Sequence, residues 1–207
     1  MEKRKDDTFV GRDREVNSVV AIHPYKVGGL WVVCDEAVGL SQEALKTTTN
    51  SIRCCMPTLI VAERPDTVDA TTLIEELSEY LEPLAPPESR HGFSVEQLLR
   101  GAVAFFVMRH DGILAGCGGV ELFGTEYSEI KRMYVRPQFR GLGLGKLMLQ
   151  HLADYARCQG TAVLRLETGV YLSEAIGLYE RSGFRRIPPF GAYREDPLSV
   201  FYEKRIT

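Results

Sequence analysis

One stretch decides the fold of this 207-residue chain: Val135-Arg-Pro-Gln-Phe-Arg-Gly-Leu-Gly-Leu-Gly-Lys146. It joins a predicted strand to a predicted helix and places three glycines at alternate positions. The first N–H groups of a helix have no partner inside the helix and carry a partial positive charge, so phosphate is a natural ligand there. Glycine lets the backbone approach such a ligand closely. Because Arg140 and Lys146 add positive charge at its two ends, the stretch predicts a phosphate-binding loop.

Two other phosphate-binding loops fit this stretch less well. A P-loop needs Gly five residues before the Gly-Lys pair, where this chain has Arg140, and Ser or Thr after the pair, where it has Leu147. The dinucleotide-binding fingerprint needs a third Gly at the position of Lys146. On this stretch alone, a glycine-rich turn ahead of an ordinary packing helix stays open as an alternative.

The hydrophobic pattern on both sides of the loop predicts a mixed α/β (α+β) fold. Antiparallel strand pairs come first, with a hairpin signal at His110-Asp-Gly112, and crossovers of the βαβ kind follow. A mixed sheet with helices on both faces accommodates this order. The predicted strands are 59–62, 102–108, 113–122, 130–135, 163–167, 184–187 and 199–203, and the predicted helices are 67–81, 94–99, 144–156 and 173–181.

Composition argues against several classes of protein. Hydrophobic residues make up 44% and charged residues 26%, as in globular proteins. No apolar run approaches the roughly 20 residues that span a bilayer, so we expect no membrane partner. An odd number of irregularly spaced cysteines and the lack of a signal-like N-terminus predict a cytoplasmic protein with reduced thiols. A net charge of −3 gives no support to a nucleic-acid partner, and the scattered histidines predict no metal site.

A second motif lies downstream of the loop, at Ala175-Ile-Gly-Leu-Tyr179-Glu-Arg-Ser-Gly183-Phe184. Together with Arg140-x-x-Gly143-x-Gly145, it resembles the paired signatures of the GNAT N-acetyltransferase superfamily, Arg/Gln-x-x-Gly-x-Gly/Ala and Leu-Tyr-x-x-x-Gly-Phe. The two motifs stand in the family's order, which makes the pair far more specific than either motif alone. The resemblance covers about residues 58–207. It implies a GNAT-like central mixed sheet and an enzyme, an acetyl-CoA-dependent acyltransferase.

The resemblance also implies where acetyl-CoA binds. In GNAT domains the amides of the glycine loop hold the CoA pyrophosphate, and the preceding strand pairs its backbone with the pantetheine arm. Pantetheine carries amides and can act as an extra strand where the sheet opens. The implied cofactor-binding residues are Met133, Tyr134, Val135, Arg140, Gly141, Leu142, Gly143, Leu144, Gly145 and Lys146.

For the chemistry, the resemblance implies Tyr179 as the acid that protonates the departing thiolate. Glu129 is the candidate base, because histone-acetylating relatives keep a catalytic glutamate six residues before the position of Val135. A salt bridge from Glu129 to Lys131 or Arg132, or a water chain without a dedicated base, stays open.

Three further residues belong to the implied site. Glu121 and Glu167 are second choices, either as water-positioning groups or as substrate ligands, and Tyr193 lies in a segment expected to close over the acceptor. One departure from the family is Leu172, which stands where many relatives have an Asn that contacts pantetheine.

The chain therefore divides into an N-terminal extension, residues 1–55, and a GNAT domain, residues 56–207. The role of the extension is not indicated, and it is predicted to contain a short hairpin of strands 19–22 and 30–33. The predicted acceptor is a primary amine on a small molecule, amino-acid-like or polyamine-like. A protein or peptide acceptor and a non-catalytic acyl-CoA-binding regulator are the alternatives. The acidic stretch 75–82 could attract a cationic amine or form a solvated helix face, and a homodimer is expected from the family.

Overall fold

The computed structural model describes residues 26–27, 30–31, 58–84, 86 and 93–207. Strands β1 (Lys26–Val27) and β2 (Leu30–Trp31) pair antiparallel as a short hairpin. The sequence predicts a strand at β2, but its observed partner β1 lies in the segment predicted as the turn. The predicted partner, residues 19–22, lies outside the described residues. The domain boundary at residue 55 also lies outside them and stays a prediction.

The described residues from Thr58 onward form a seven-stranded mixed sheet in the order β3-β4-β5-β6-β7-β9-β8. Strands β6 and β7 run parallel, and the other neighbouring pairs in this sheet are antiparallel. The predicted fold class is confirmed. The strands are β3 (Thr58–Ala62), β4 (Ala104–His110), β5 (Ile113–Phe123), β6 (Tyr127–Val135), β7 (Val163–Gly169), β8 (Arg185–Ile187) and β9 (Ser199–Arg205).

Two of the helices begin where the sequence places their caps. The Thr67 side chain accepts a hydrogen bond from the Ala70 N–H at 3.3 Å, and Ser94 with Gln97 forms the predicted capping box. Each cap satisfies donors that a helix start would otherwise leave unpaired. The helices of the described part are α1 (Val68–Leu81), α2 (Val95–Arg100), α3 (Leu144–Cys158) and α4 (Ser173–Arg181), with short 3₁₀ turns at Glu82–Leu84 and Pro137–Phe139.

The predicted hairpin between β4 and β5 is also present. Its central residues, Asp111 and Gly112, both have positive φ, at 53° and 72°. Two-residue hairpin turns of this kind favour Asp-Gly, because their twist matches that of the flanking strands.

The core lies in two layers, one on each face of the sheet. Alternation along β4 sends Phe105 and Val107 to one face and Phe106 and Met108 to the other. The first face packs against α1 and α2 through Leu73, Ile74, Leu77 and Leu98. The second packs against α3 and α4 through Leu144, Met148, Leu149, Leu152, Ala153, Ala156 and Tyr179.

Candidate active site

The glycine loop leaves the start of α3 open. Gly141 and Gly143 have φ of +79° and +81°, which side chains rarely adopt, and a Cβ built on either would meet no atom within 4 Å. Gly143 is the N-cap of α3, no side chain caps this end, and no acidic residue lies in the first turn. The N–H groups of the first turn are therefore available to an anion.

Gly145 has a different task from the other two loop glycines. A Cβ at Gly145 would lie 3.1 Å from the Leu178 side chain, a very tight contact. The absence of a side chain there lets the first turn of α3 approach α4. The motif glycines thus combine an open anion site with close packing of two helices.

The two cations of the loop lie in different surroundings. Arg140 donates from Nε to the Val135 carbonyl at 3.2 Å, and its guanidinium lies 3.3 Å from a Glu174 carboxylate oxygen and 5.1 Å from the centre of the Tyr80 ring. Lys146 lies with Arg181 and Lys204 along the groove between α3 and α4. Positive charge therefore stands beside the open helix start on both sides.

Strands β6 and β7 separate as they approach this loop. Their ladder consists of two residue pairs, Ser128 with Leu164 and Glu129 with Arg165, whereas β6 runs on to Val135 and β7 to Gly169. In this fully described region the backbone of β6 beyond Glu129 has no ladder partner on the β7 side. An extended ligand that carries amides can pair with such an edge.

Strand β6 also contains a bulge. In the β5–β6 ladder, Tyr134 faces Cys117 and Lys131 faces Gly119, so two residues of β6 oppose one residue of β5. Arg132 lies in the bulge and has φ +51°, an uncommon conformation for a residue with a side chain. Met133 and Val135, just beyond it, are partly buried and pack toward α3 and α4.

Tyr179 lies on α4 within the core layer that Met133 and Val135 also touch. It is 6% exposed, with its ring centre 5.8 Å from that of Phe184 and 6.4 Å from that of Tyr202. Burial, with a smaller contribution from the charge of Glu167, raises the pKa of Tyr179 well above its ordinary value. The hydroxyl therefore remains protonated throughout the neutral range and acts as a donor.

Glu129 lies in a buried charge cluster, which we define as Glu121, Glu129, Lys131 and Tyr193. Lys131 Nζ is 2.7 Å from Glu129 Oε1 and 3.4 Å from Glu121 Oε2, and the Tyr193 hydroxyl donates to Glu129 Oε1 at 2.6 Å. Both contacts of Glu129 end on Oε1. Burial raises the pKa of Glu129, opposed by Lys131 and the Tyr193 hydrogen bond. Tyr193 was expected near the acceptor, but nothing in the sequence signals its bond to Glu129.

The sequence leaves open a salt bridge from Glu129 to Lys131 or to Arg132, and the structure contains the first of these. Lys131 is the partner, as residues two apart on a strand share a face. Arg132 instead donates to the Phe93 carbonyl at 2.6 Å and to the Ser78 hydroxyl at 2.9 Å. Glu167, the other second choice, accepts a hydrogen bond from Ser199 on β9 at 2.6 Å.

Glu129 and Tyr179 approach the β6–β7 gap from opposite faces of the sheet. Ile130 packs in the α3–α4 layer, so its neighbours Glu129 and Lys131 point to the other face, where the Phe93 ring lies 4.2 Å from Lys131 Nζ. A thioester in the gap would therefore meet Tyr179 on one side and the charge cluster on the other.

Neither a metal site nor a membrane-spanning helix is present among the described residues. These residues contain no group of three or more His, Cys, Asp or Glu that could hold a metal ion. None of their helices has the length and apolar character needed to cross a membrane.

Comparison with known proteins assigns the family. A model described as the Acetyltransferase (GNAT) family matches residues 70–184. The chain belongs to this family. It is 43% identical over 152 residues to an "IAA acetyltransferase" of Azospirillum brasilense, a match that covers 72% of the chain and 99% of that protein. An uncharacterized N-acetyltransferase of Bacillus subtilis is 36% identical over 65% of the chain and 91% of its own length.

Solved structures agree with this assignment. A protein of Klebsiella pneumoniae described as an acyl-CoA N-acyltransferase is 32% identical, with a TM-score of 0.59 over 72% of this chain and 98% of its own. A GNAT family acetyltransferase from Elizabethkingia anophelis with acetyl-CoA bound shares the fold, at 19% identity and a TM-score of 0.54 over 72% of this chain and 97% of its own. The present chain, as a member of the GNAT family, is an acetyl-CoA-dependent acyltransferase. The family, the enzyme class and the acyl donor predicted from its sequence are confirmed. The residues present fit acetyl-CoA, because the helix start and the β6 edge are both open.

We expect Gly143→Ala to weaken acetyl-CoA binding about tenfold or more, or about 1.4 kcal/mol. The new Cβ would enter the space through which a phosphate approaches the amides. Alanine would also be strained at the φ of +81° that this position adopts. Isothermal titration calorimetry measures the affinity.

Gly124→Ala is the matched control, because Gly124 also has positive φ (+59°) and open space but lies in the β5–β6 turn. Both variants should lose about 1 kcal/mol of unfolding free energy from backbone strain. Equal affinities in the two variants would show that the loop does not bind the cofactor.

Proposed function

We propose that this enzyme transfers the acetyl group of acetyl-CoA to the primary amine of a small molecule. The observation that supports the proposal is that two aromatic rings cover Lys131. They do so on the face of the sheet that packs against α1 and α2, which we call the acceptor face. The ring of Phe93, which precedes α2, lies 4.2 Å from Lys131 Nζ, and the ring of Tyr193, from the β8–β9 connection, lies 5.5 Å from it. A peptide acceptor would need an open groove between these two segments. Their meeting over one buried lysine favours a compact acceptor.

In this proposal the cofactor lies along the opened edge of β6. The amides from Gly141 to Gly145 hold the pyrophosphate, with Arg140 and Lys146 adding positive charge. The backbone of Met133, Tyr134 and Val135 pairs with the pantetheine arm and polarises the thioester carbonyl. The partial exposure of Met133 and Val135 supports this role, since a ligand in the gap would contact both.

Glu129 receives the proton of the acceptor amine, directly or through a water molecule. Lys131 and Tyr193 fix its Oε1, and Oε2 takes part in neither contact. The raised pKa brings the carboxylate closer to the neutral range, where a general base is most effective. Once neutral, the amine nitrogen attacks the thioester carbon, so that a C–N bond forms and an oxyanion develops on the carbonyl oxygen.

Tyr179 assists the second half of the reaction. As the intermediate collapses, the C–S bond breaks, its electron pair moves to sulfur, and the nitrogen releases its excess proton to water. The protonated Tyr179 hydroxyl donates a hydrogen bond to the thiolate, which takes its proton from water. The pKa of a tyrosine lies above that of a thiol, and burial raises the pKa of Tyr179 further, so hydrogen bonding to the thiolate contributes more than complete proton transfer.

The proposed function is tested by acceptor-dependent release of the CoA thiol. Purified enzyme is incubated with acetyl-CoA and separate classes of amine: amino acids, polyamines, aminoglycosides and a lysine-bearing peptide. We expect one class of small amine to stimulate release well above hydrolysis and the peptide to give no stimulation. Stimulation by the peptide alone would overturn the proposal in favour of a protein acceptor.

We expect Tyr179→Phe to lower kcat about 10- to 300-fold with little change in acetyl-CoA affinity, because it removes a donor that acts only on the leaving thiolate. Steady-state kinetics and calorimetry measure the two quantities. Tyr155→Phe, on α3 with its ring against Phe106, is the control and should leave both unchanged. A Tyr179→Phe enzyme with full kcat would remove the residue from the mechanism.

The pH profile tests Glu129. A base must be ionised, and burial raises the pKa of Glu129 above its ordinary 4.5, so activity should fall with decreasing pH through a limb above that value. In Glu129→Gln we expect this limb to disappear and kcat to fall about 10²- to 10⁴-fold. The same acceptor is used for both enzymes, so ionisation of its amine contributes equally.

Glu63→Gln, which affects an ion pair with Arg109 on the outer strands, is the control and should retain the limb. If Glu129→Gln keeps the wild-type profile, proton removal occurs through another group or a water chain.

A further inference from the structure

Arg132 carries a partly buried charge that the proposed mechanism does not use. Its guanidinium donates to the Phe93 carbonyl and the Ser78 hydroxyl, both neutral groups, and burial lowers its pKa. Within the described residues, no carboxylate lies within ion-pair distance of it. A buried cation without a counter-charge is costly unless an anion completes the site.

Three other partly buried arginines around the sheet are paired with carboxylates. Arg109 contacts Glu63 and Asp69, Arg136 forms a two-pronged pair with Glu76 at 2.6 and 2.9 Å, and Arg165 pairs with Glu203 at 2.8 Å. The chain thus supplies carboxylates to comparable guanidiniums. Among the described residues, the lack of a carboxylate partner for Arg132 is a local property of the bulge, where the surrounding structure holds this residue at a strained φ of +51°.

Glu121 lacks a hydrogen-bond donor among the described residues, whereas Arg132 lacks a negatively charged partner among them. Its Oε2 is buried and accepts no hydrogen bond from the described residues, and its nearest cation is Lys131 Nζ at 3.4 Å. Two carboxylates, Glu121 and Glu129, thus share one lysine. An ammonium group would supply the missing donors, because each of its three N–H bonds can reach a carboxylate oxygen.

Phe93 contacts both Arg132 and the charge cluster that contains Glu121. Its carbonyl accepts from Arg132, and its ring lies over Lys131 of the charge cluster. Among the described residues, a guanidinium without a carboxylate partner lies on one side of Phe93, and two carboxylates that share one lysine lie on the other. All of these groups are on the same face of the sheet. The four groups, Glu121, Glu129, Lys131 and Arg132, sum to zero formal charge, which is complementary to a zwitterion.

We propose, resting on the proposed function, that the acceptor is an amino acid, and that Arg132 binds its carboxylate while Glu121 and Glu129 receive its amino group. The planar guanidinium matches a carboxylate with two parallel hydrogen bonds. A polyamine would place a second ammonium beside Arg132, and like charges at close range repel in a buried site. The geometry therefore separates the two kinds of small acceptor that the sequence leaves open.

The test compares each amino acid of a panel with its own carboxamide, which keeps the amine and removes the negative charge. We expect wild-type kcat/KM for the preferred amino acid to exceed that for its amide about 10- to 100-fold. Arg132→Gln should lower kcat/KM for the acid much more than for the amide, mainly through KM, so that the preference for the acid is largely lost. Arg132→Lys should restore part of the preference, because it keeps the charge without the fork.

Arg109→Gln serves as the control and should retain the wild-type preference. If Arg132 only ties α1 and the α2 entrance to the sheet, Arg132→Gln will lower both rates equally, and that result overturns the inference. The wild-type comparison stands alone if the variant does not fold, because equal rates with acid and amide also overturn it. If no amine of either kind stimulates thiol release, the proposed function itself has failed.

Discussion

The separation of β6 from β7 is the constraint on which the rest of the site depends. These strands are the parallel pair of an otherwise antiparallel sheet, so a crossover must connect them, and α3 provides it. The crossover begins at the end of β6, which places the open start of α3 beside the gap. Helix α4 follows directly from β7 and brings Tyr179 to the same place. The anion site, the free strand edge and the tyrosine therefore come together as a consequence of topology.

The bulge at Arg132 brings Lys131 and Arg132 together on the face proposed to bind the acceptor. A side chain at positive φ costs about 1–2 kcal/mol, and the bulge interrupts the β5–β6 ladder. In return, Lys131 and Arg132 both contact Phe93 on one face, instead of pointing to opposite faces as consecutive strand residues do. Hydrogen bonds to Ser78 and Phe93 offset part of the desolvation of the guanidinium. Strain of this kind persists where neighbouring structure fixes the backbone.

The sequence predicts features that depend on residues close together along the chain, and it does not predict contacts between residues far apart along the chain. Helix α4 was predicted with its observed bounds, and the Ser94–Gln97 capping box and the Asp111–Gly112 turn are as expected, because each depends on neighbours a few positions apart. The glycine loop and Tyr179 are visible for the same reason, as parts of short motifs. The bond from Tyr193 to Glu129 spans 64 positions and that from Arg132 to Ser78 spans 54, and no local pattern encodes either. Positive φ at an arginine has no compositional signal, since Gly or Asn would be expected there.

In the proposed mechanism, the two faces of the sheet separate donor binding from acceptor choice. There the donor side consists of backbone amides, a strand edge and glycines, which would recognise a phosphate and an amide chain irrespective of the acceptor. The acceptor side consists of long-range side-chain contacts through Phe93, Lys131, Arg132 and Tyr193. Substitutions on the acceptor face can alter the accepted amine without disturbing the loop, because the two faces meet only at the gap. Function in such a fold lies in the grafted site, and in the proposed mechanism that site includes the side chains around the bulge at Arg132.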